Sequence, residues 1–377
     1  MLKPIDHINL HTFINTHSKE DVLRIFTELE LKVNPVGDYE DVYIVDYCQI
    51  KSPRKHPIAD ACRGVILDLK NKVVLRNMFK RFYNYGEFPE MLECFTFDSS
   101  TTVAEKVDGS VIGLWFDPYS KQWQTGTRGT PFGNTDMMYT VNGEHKTYNQ
   151  LFNEVVDLEK MSKHLSINHT YIFELCSKYN EVVVAHEKPK VVLLGMVNNR
   201  TSVVYTPNDL YLTKIGLFGA EAVKVYSFSD VNSVLKYVSS LSADQEGVVV
   251  TDRHGNMMKI KSELYVLLHH TKTKSWNNEK VLDVILAGEL DELLAVVNNE
   301  EVKYIANKLA RGIAQLEADV MLHLDDVNNT KLTQKEFALK VNMLKHSGIL
   351  FSMRKGMTYQ QALQKCGTKG LLNIINI

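Results

Sequence analysis

The chain has 377 residues, of which 44% are hydrophobic and 23% are charged, and its formal net charge is −2 at pH 7. This length allows two domains with ordinary hydrophobic cores, and the near-neutral charge excludes a global basic field, so a nucleic acid has to be bound by a local cluster of cations. Five scattered cysteines without a C-x-x-C pair argue against a zinc ribbon, and the absence of an apolar signal core or membrane span predicts a soluble cytoplasmic protein.

The first strong pattern is the amphipathic segment Ser18–Leu31, which predicts a helix capped by Ser18. Short β-rich segments separated by turn signals then continue to residue 262. They are Asp41–Ile50, Cys62–Leu69, Lys72–Phe79, Thr101–Val107, Ser110–Phe116, Gln122–Thr127, Thr170–Leu175, Glu181–His186, Lys190–Val197, Thr201–Thr206, Glu246–Asp252 and Asn256–Ser262. Helical patterns interrupt these strands at Tyr148–Lys163 and Phe228–Ser240.

From about Tyr265 onward the β-rich segments stop, and helix-period patterns follow. These patterns are Glu279–Gly288, Leu290–Val297, Glu300–Leu324 and Thr333–Phe351. We therefore predict an α+β protein, with a domain of antiparallel sheets at residues 1–270 and an all-helical domain at residues 271–377.

Lys106 interrupts an apolar strand pattern and begins a K-x-D-G sequence. A buried ammonium is costly unless it is paired or neutralised. Alone, K-x-D-G is typical of a strand that ends in an Asp-Gly turn, but Glu174, Glu246, Lys259 and Lys261 follow on later predicted strands. Strand alternation places the last two lysines on one face, where like charges are unfavourable unless an anion lies between them.

These three lysines and two glutamates predict nucleotidyl transfer. A neutral lysine amine can attack the α-phosphorus of ATP, expel pyrophosphate and form a lysyl phosphoramidate. Burial among cations would favour the neutral amine of Lys106, and Lys259 and Lys261 would neutralise charge that develops on the α-phosphate. Glu246 is a candidate to hold a metal-bound water, and Glu174 is a candidate to accept from a ribose hydroxyl.

The order K-x-D-G, F-E-x, V-V-L-L-G-M-V, E-G-V-V-V and K-I-K resembles that of the covalent nucleotidyltransferases, which include DNA ligases, RNA ligases and capping enzymes. Within this superfamily the chain is similar to the bacteriophage RNA ligase 1 family, through its A-D-A-C-R-G-V-I-L-D and F-K-R-F-Y-N-Y-G-E motifs. The resemblance extends from about Asp41 to beyond Asp291. It implies a nucleotidyltransferase (ATP-grasp-like) domain followed by an all-helical domain.

The resemblance also implies roles for residues that match the family motifs. Lys106 is the nucleophile that becomes AMP-lysine, and Gly109 lets the backbone approach the nucleotide. Glu174 matches the ribose-binding glutamate, and the strand Val191–Val197 matches the floor under the adenine. Glu246 matches the glutamate that organises the metal.

Further matches concern the phosphates of ATP. Lys259 and Lys261 match the pair on the α-phosphate, and Tyr265 matches a functional tyrosine that follows this pair. Arg63 resembles the arginine that reaches the adenylate and the terminal phosphates. Tyr47 stands where the family has a tyrosine lining the ATP site.

Three positions depart from the family pattern or extend beyond the first domain. The family lysine in F-x-K-F-F-N aligns with Arg81, although Lys80 is adjacent, and the sequence leaves open which of the two acts. Arg128 stands where a lysine is common and keeps the positive charge near the phosphates. Asp291 falls where the family has a magnesium-associated aspartate in the helical domain.

The predicted function is that of an ATP-dependent RNA ligase, which needs Mg²⁺ and joins 5′-phosphate and 3′-hydroxyl RNA ends through a lysyl-AMP intermediate and an adenylylated RNA end. The resemblance implies repair of cleaved tRNA, and nothing in the sequence indicates an obligate protein partner. One alternative is a DNA ligase or capping enzyme, which would carry an OB-fold after the K-x-K strand. Another is a non-catalytic nucleotide- or RNA-end-binding protein of the same fold.

Overall fold

A computed structural model of the chain describes residues 9–137, 139–180, 186–208, 217–242, 245–262, 277–286, 290, 293–294, 300–329 and 331–376. The chain divides into two compact units, Met1–His270 and Thr271–Ile377. The first unit contains strands and helices, and the described part of the second unit contains helices. Among the described residues, no helix combines the length and apolar character needed to cross a membrane.

The strands of the first unit are β1 (Leu31–Pro35), β2 (Val42–Tyr47), β3 (Arg63–Asp68), β4 (Val73–Arg76), β5 (Tyr83–Asn84), β6 (Thr102–Glu105), β7 (Ser110–Asp117), β8 (Gln122–Gly126), β9 (His169–Cys176), β10 (Lys190–Asn198), β11 (Val204–Tyr205), β12 (Glu221–Ala222), β13 (Val225–Tyr226), β14 (Gly247–Thr251) and β15 (Met257–Lys261). Its helices are α1 (Leu10–Thr16), α2 (Lys19–Glu28), α3 (Pro57–Ala61), α4 (Pro89–Glu93), α5 (Tyr148–Val155), α6 (Leu158–Ser162) and α7 (Val231–Ser239), with a 3₁₀ turn at Lys178–Asn180. The helices of the second unit are α8 (Asn278–Leu286), α9 (Glu300–Met321), α10 (Leu324–Asn328), α11 (Gln334–Val341), α12 (Ser347–Arg354) and α13 (Tyr359–Ile375).

The described strands of the first unit form three sheets. The first has the order β1-β2-β3-β4, the second β11-β10-β9-β7-β8 with β12 beside β10, and the third β13-β6-β14-β15-β5. The pairs are antiparallel except β10 with β12 and β15 with β5. The predicted α+β class with antiparallel sheets is confirmed.

The second sheet packs against both other sheets. One of its faces is covered by α5 and α6, where Phe173 is buried in the main apolar cluster. On the opposite face, Trp115 packs with Ile44 of the first sheet, and Ile172 packs with Met257 of the third sheet. Because side chains alternate along a strand, the residue after Phe173 on β9 points toward the third sheet.

Two helix predictions in the first unit need correction. Ser18 caps α2 as predicted, accepting the backbone N–H of Asp21, but the helix ends at Glu28. Glu30 then adopts a positive φ of 52°, which turns the chain into β1. The single helix predicted at 148–163 is two helices, because the chain is extended at Val156 and Asp157 caps a new start.

The strand predicted at Thr101–Val107 ends earlier, at Glu105, so Lys106 lies just beyond β6. The segment predicted as a strand at 181–186 lies outside the described residues except for His186, which is not in a strand. The short elements α1, α3, α4, β1, β5, β12 and β13 were not predicted, since they have too few residues to show a period. In the second unit, the helix predicted at 333–351 is divided into α11 and α12.

Candidate functional site

Three of the predicted site residues form one ion-paired cluster. Lys106 donates its backbone N–H to the carbonyl oxygen of Gly247 (2.9 Å), which holds it beside the start of β14. Its Nζ lies 2.6 Å from Glu246 Oε1. Lys261 Nζ, at the end of β15, contacts the same oxygen at 2.9 Å. One buried carboxylate thus pairs with two ammonium groups.

The electrostatics of this cluster favour an anionic ligand. Burial alone would raise the pKa of Glu246, but attraction to Lys106 and Lys261 outweighs burial and holds the pKa below its ordinary value. Lys259 lies two residues before Lys261 on the same face of β15, while Ile260 is buried on the other face under α7. Three lysines and one ionised glutamate leave a net positive charge in this group, which suits a phosphate.

Glu174 lies on the face of β9 that points toward the third sheet, and its side chain is buried. Burial raises its pKa to about 8, although the charge of Lys106 opposes this shift. The carboxyl group is therefore mostly protonated at pH 7. A neutral carboxyl can both donate and accept a hydrogen bond, whereas a carboxylate can only accept.

Gly109 is fixed by a close approach to β9. A Cβ atom there would lie 2.6 Å from the carbonyl oxygen of Leu175 and 3.1 Å from Cγ of Glu174. Its φ is not positive, so the position needs glycine for space. The K-x-D-G turn is thereby packed directly against the strand that carries Glu174.

A second cluster of predicted residues surrounds Tyr47. The guanidinium carbon of Arg81 lies 4.3 Å from the centroid of the Tyr47 ring, and that of Arg128 lies 4.0 Å from it. Arg128 Nε also donates to both carboxylate oxygens of Asp46, at 2.9 and 2.8 Å. Cation–π contacts and this ion pair therefore fix two arginines against one aromatic ring.

Arg63 acts electrostatically on Glu174, and the residue that follows it lies against the backbone of Arg128. It begins β3 and its Nη1 reaches the carbonyl oxygen of Phe79 at 3.4 Å. Its positive charge also acts on the carboxyl group of Glu174, where it opposes the rise in pKa that burial causes. The next residue, Gly64, has a φ of +68°, and a Cβ atom there would lie 2.5 Å from the carbonyl oxygen of Arg128.

Lys80 and Arg81 make different contacts. Arg81 packs on Tyr47, whereas Lys80 Nζ lies 3.4 Å from Asn256 Oδ1. Of the two cations, Arg81 is therefore the one that belongs to the second cluster around Tyr47, which we call the arginine–tyrosine cluster. The sequence alone left this choice open.

Sequence reasoning missed two acidic residues beside these cations. Asp46 binds Arg128, as described above, and Asp60 accepts from the Tyr83 hydroxyl at 2.7 Å. Burial raises the pKa of Asp60 to about 6, against the attraction of Arg81. The available signal was an aspartate inside a predicted strand for Asp46, which lies in Asp41–Ile50, and an aspartate just before a predicted strand for Asp60, which precedes Cys62–Leu69.

Two predicted residues, Tyr265 and Asp291, lie outside the described residues. In the part of the chain that is described, no group of three or more His, Cys, Asp or Glu residues is placed to hold a metal ion. The predicted metal ligand Glu246 is described, and its contacts are to lysines. Among the described side chains, this carboxylate is therefore held by two ammonium groups and is not part of a group of metal ligands.

A sequence profile of the RNA ligase family matches residues 61–265. A bifunctional polynucleotide kinase/RNA ligase of Autographa californica nuclear polyhedrosis virus is 25% identical over 335 residues, covering 84% of this chain and 46% of that protein. The chain therefore spans about half the length of this relative. An RNA ligase of Rhodothermus phage RM378 is 24% identical over 353 residues, covering 74% of this chain and 78% of that protein.

An archaeal ATP-dependent RNA ligase of known structure is 12% identical, with a TM-score of 0.49 over 79% of this chain and 78% of that one. The profile match covers more than half of the chain and includes both clusters except Tyr47 and Asp46. The chain belongs to the RNA ligase family represented by bacteriophage RNA ligase 1.

Proposed function

We propose that the chain is an ATP-dependent RNA ligase that joins a 5′-phosphate to a 3′-hydroxyl. The observation that carries the proposal is the pairing of Lys106 and Lys261 with the buried Glu246, beside a second cluster of arginines. The first cluster supplies a nucleophilic amine and cations for an α-phosphate. The second supplies cations for the rest of a triphosphate.

In the first step, Lys106 Nζ attacks the α-phosphorus of ATP. A P–N bond forms, the bond to the bridging oxygen breaks, and pyrophosphate leaves. The sequence suggested that cations surround Lys106, but its ion-pair partner is a carboxylate, so the ammonium must first lose a proton. That proton passes to solvent, because the lowered pKa of Glu246 makes its carboxylate too weak a base to take it. Glu246 instead holds the Lys106 amine in place. Lys259 and Lys261 then face the charge that develops on the α-phosphate.

We assign the departing pyrophosphate to the second cluster. Arg63, Arg81 and Arg128 provide planar donors that suit phosphate oxygens. Tyr47 holds Arg81 and Arg128 in fixed positions through its ring. Tyr265 keeps the role that the family resemblance implies for it.

In the second step, AMP passes from Lys106 to the 5′-phosphate of RNA, which forms a 5′-5′ pyrophosphate. In the third step, a 3′-hydroxyl attacks that phosphate and AMP leaves. Glu174 is proposed to hold a ribose hydroxyl, and Gly109 allows the K-x-D-G backbone to lie close to β9. A protonated Glu174 would accept from one hydroxyl and donate to another group.

The proposed cofactors are ATP, as the AMP donor, and Mg²⁺. Mg²⁺ usually keeps several waters and binds through one or two carboxylates together with substrate phosphates. Glu246, which lies in the first cluster, is the proposed ligand of a metal ion that would arrive with the triphosphate. The magnesium-associated role that the family resemblance implies for Asp291 stays a prediction. When bound, the ion screens the triphosphate and makes pyrophosphate a better leaving group.

The proposed physiological substrate is cleaved tRNA in the cytoplasm of a host cell, with specificity supplied by the second unit. Helices follow β15 in the described part of the second unit, which disfavours a DNA ligase or capping enzyme with an OB-fold. Retention of Lys106, Glu174 and Glu246 disfavours a non-catalytic binding protein. We propose Met1–His270 as the adenylyltransferase domain.

The proposal is tested by incubation with Mg²⁺ and ATP labelled at the α-phosphate. We expect acid-labile label on the 43.0 kDa chain, which added pyrophosphate removes by reversing the first step. Pyrophosphate labelled at its own phosphorus should exchange into ATP under the same conditions. A folded wild-type chain that takes up no label would refute the enzymatic function.

A second prediction separates Arg81 from Lys80. Arg81→Ala should raise the KM for ATP in the labelling reaction by about tenfold or more, because it removes a planar cation from the arginine–tyrosine cluster. Lys80→Ala should change this KM by less than about threefold, since Lys80 is directed to Asn256. The opposite ranking would assign the family lysine to Lys80.

A further inference from the structure

Arg76 is a fully buried cation that the proposed chemistry does not use. It lies on β4, opposite Ile66 of β3, and its side chain is 0% exposed. Arg76 Nε donates to the carbonyl oxygen of Gly64 at 2.9 Å, and Nη1 donates to that of Thr130 at 3.0 Å. The guanidinium therefore joins two segments that are distant in the sequence.

Each of these segments carries a cation of the proposed ATP site. Gly64 follows Arg63 at the start of β3, and Thr130 is two residues after Arg128. The backbone of Arg128 also lies against Gly64, because a Cβ atom on Gly64 would come within 2.5 Å of the Arg128 carbonyl oxygen. The loop with Arg128 and the strand with Arg63 are thus in contact, and Arg76 holds both.

The surrounding backbone provides the space that this arginine needs. A Cβ atom on Gly126 would lie 2.2 Å from Arg76 Nη1, and one on Gly113 would lie 3.3 Å from Arg76 Cδ. Glycines on β7 and β8 therefore make room for the side chain. An apolar residue would fill the same space without the cost of burying a charge.

That cost is substantial. Burial lowers the pKa of Arg76 to about 9, and the negative charge of Asp46 opposes this shift. The hydrogen-bond partners of Nε and Nη1 are neutral carbonyls, and Nη2 has no hydrogen-bond partner among the described residues. Bridging two carbonyls with fixed geometry is something that a planar guanidinium can do and an aliphatic side chain cannot.

We propose that Arg76 is a positioning residue of the ATP site. By bonding to Gly64 and Thr130, it fixes the separation between Arg63 and Arg128, and so the placement of Arg128 on Tyr47. Arg76 does not itself contact ATP. This inference rests on the proposed function, because it takes Arg63 and Arg128 to bind the triphosphate.

The structural part of the proposal is tested without ATP. Hydrogen exchange of backbone amides is measured for wild type, Arg76→Lys and Arg76→Met. We expect faster exchange in residues 126–131 and 62–65 of both variants, with residues 169–176 of β9 unchanged. Lysine keeps the charge but has no planar fork to bridge the carbonyls. Unchanged exchange in residues 126–131 would overturn the proposal. If Arg76→Met does not fold, the exchange measured for Arg76→Lys alone is the test.

The functional part is tested by the rate of Lys106 labelling as a function of ATP concentration. A small misplacement of binding groups has large kinetic effects, so we expect the KM for ATP to rise by about tenfold in both variants. The labelling rate at saturating ATP should fall by less than about threefold, since Lys106, Glu246 and Lys261 are unaffected. A KM within about twofold of wild type in Arg76→Lys would overturn the proposal.

Arg354→Met is the matched control for loss of a structural arginine. Arg354 donates to the carbonyl oxygens of Asp326 and Leu332 at 2.8 and 2.5 Å in the second unit. This control should leave the KM for ATP unchanged, and an equal rise there would overturn a positioning role for Arg76. A wild-type chain that takes no label refutes the proposed function and this inference together, whereas a labelled wild type with an unaltered Arg76→Lys refutes only the inference.

Discussion

Lys106→Ala is expected to take up at least about 10³-fold less covalent label from α-labelled ATP than wild type. The variant should still seal RNA that is supplied with an adenylylated 5′ end. The first step needs the Lys106 amine as the atom that bonds to phosphorus. The last step transfers a 3′-hydroxyl to a phosphate that is already activated, so the amine has no covalent role in it. The measurement compares labelling by ATP with sealing of pre-adenylylated RNA, in the absence of ATP.

Lys106→Arg is the control that keeps the positive charge next to Glu246. The guanidinium can maintain an ion pair, and so preserve the arrangement of Glu246 and Lys261, but it is not a nucleophile at neutral pH. Lys106→Arg should therefore lose the label as completely as the alanine variant and retain sealing at least as well. Failure of both folded variants to seal pre-adenylylated RNA would show that Lys106 has a further role in the last step.

The group formed by Lys106, Glu246, Lys259 and Lys261 was predictable, because each of them is a charged residue on or next to an otherwise apolar strand. Alternation placed Lys259 and Lys261 on one face, and the structure has them so. The contact between Lys106 and Glu246 was not derivable from periodicity. It depends on the antiparallel pairing of β6 with β14, where Val248 lies opposite Glu105, and a register between distant strands leaves no mark in either segment.

Arg76 shows where sequence reasoning stopped for a different reason. It interrupts the apolar segment Lys72–Phe79 much as Lys106 interrupts its own strand, so a signal was present. Its partners, however, are backbone carbonyls 12 and 54 residues away. Every residue has a carbonyl, so the sequence cannot indicate which ones an arginine will bind. The same holds for the early end of α2, which depends on the positive φ of Glu30.

Glu174 should make the first unit less stable as the pH rises from about 5 to about 8. Burial raises the pKa of its carboxyl group from 4.5 to about 8, against a weaker opposing effect of Lys106. The folded chain therefore keeps a proton at Glu174 over a range in which the unfolded chain has released it. This contribution to stability is complete below the unfolded pKa and is lost as the pH rises through the folded one, at up to about 1.4 kcal/mol per pH unit.

Glu174→Gln isolates this effect, because glutamine has nearly the same shape and does not titrate. The free energy of unfolding is measured by urea titration across this pH range from the tryptophan fluorescence, to which Trp115, fully buried in the same unit, contributes. Other groups that titrate in this range, such as Asp60, are present in both proteins, so their effects cancel in the difference. We expect wild type to lose stability relative to Glu174→Gln as the pH rises, and parallel curves would contradict a buried, protonated Glu174.

The same titration bears on catalysis. Above about pH 8, an ionised Glu174 adds a negative charge near Lys106 and Glu246, and its carboxylate can no longer donate a hydrogen bond. Both changes oppose the binding of an anionic nucleotide. The KM of the wild type for ATP should therefore rise above that pH, whereas the KM of Glu174→Gln should not show this rise. If both proteins respond to pH in the same way, the protonation of Glu174 does not govern nucleotide binding, and a different group must account for the pH dependence.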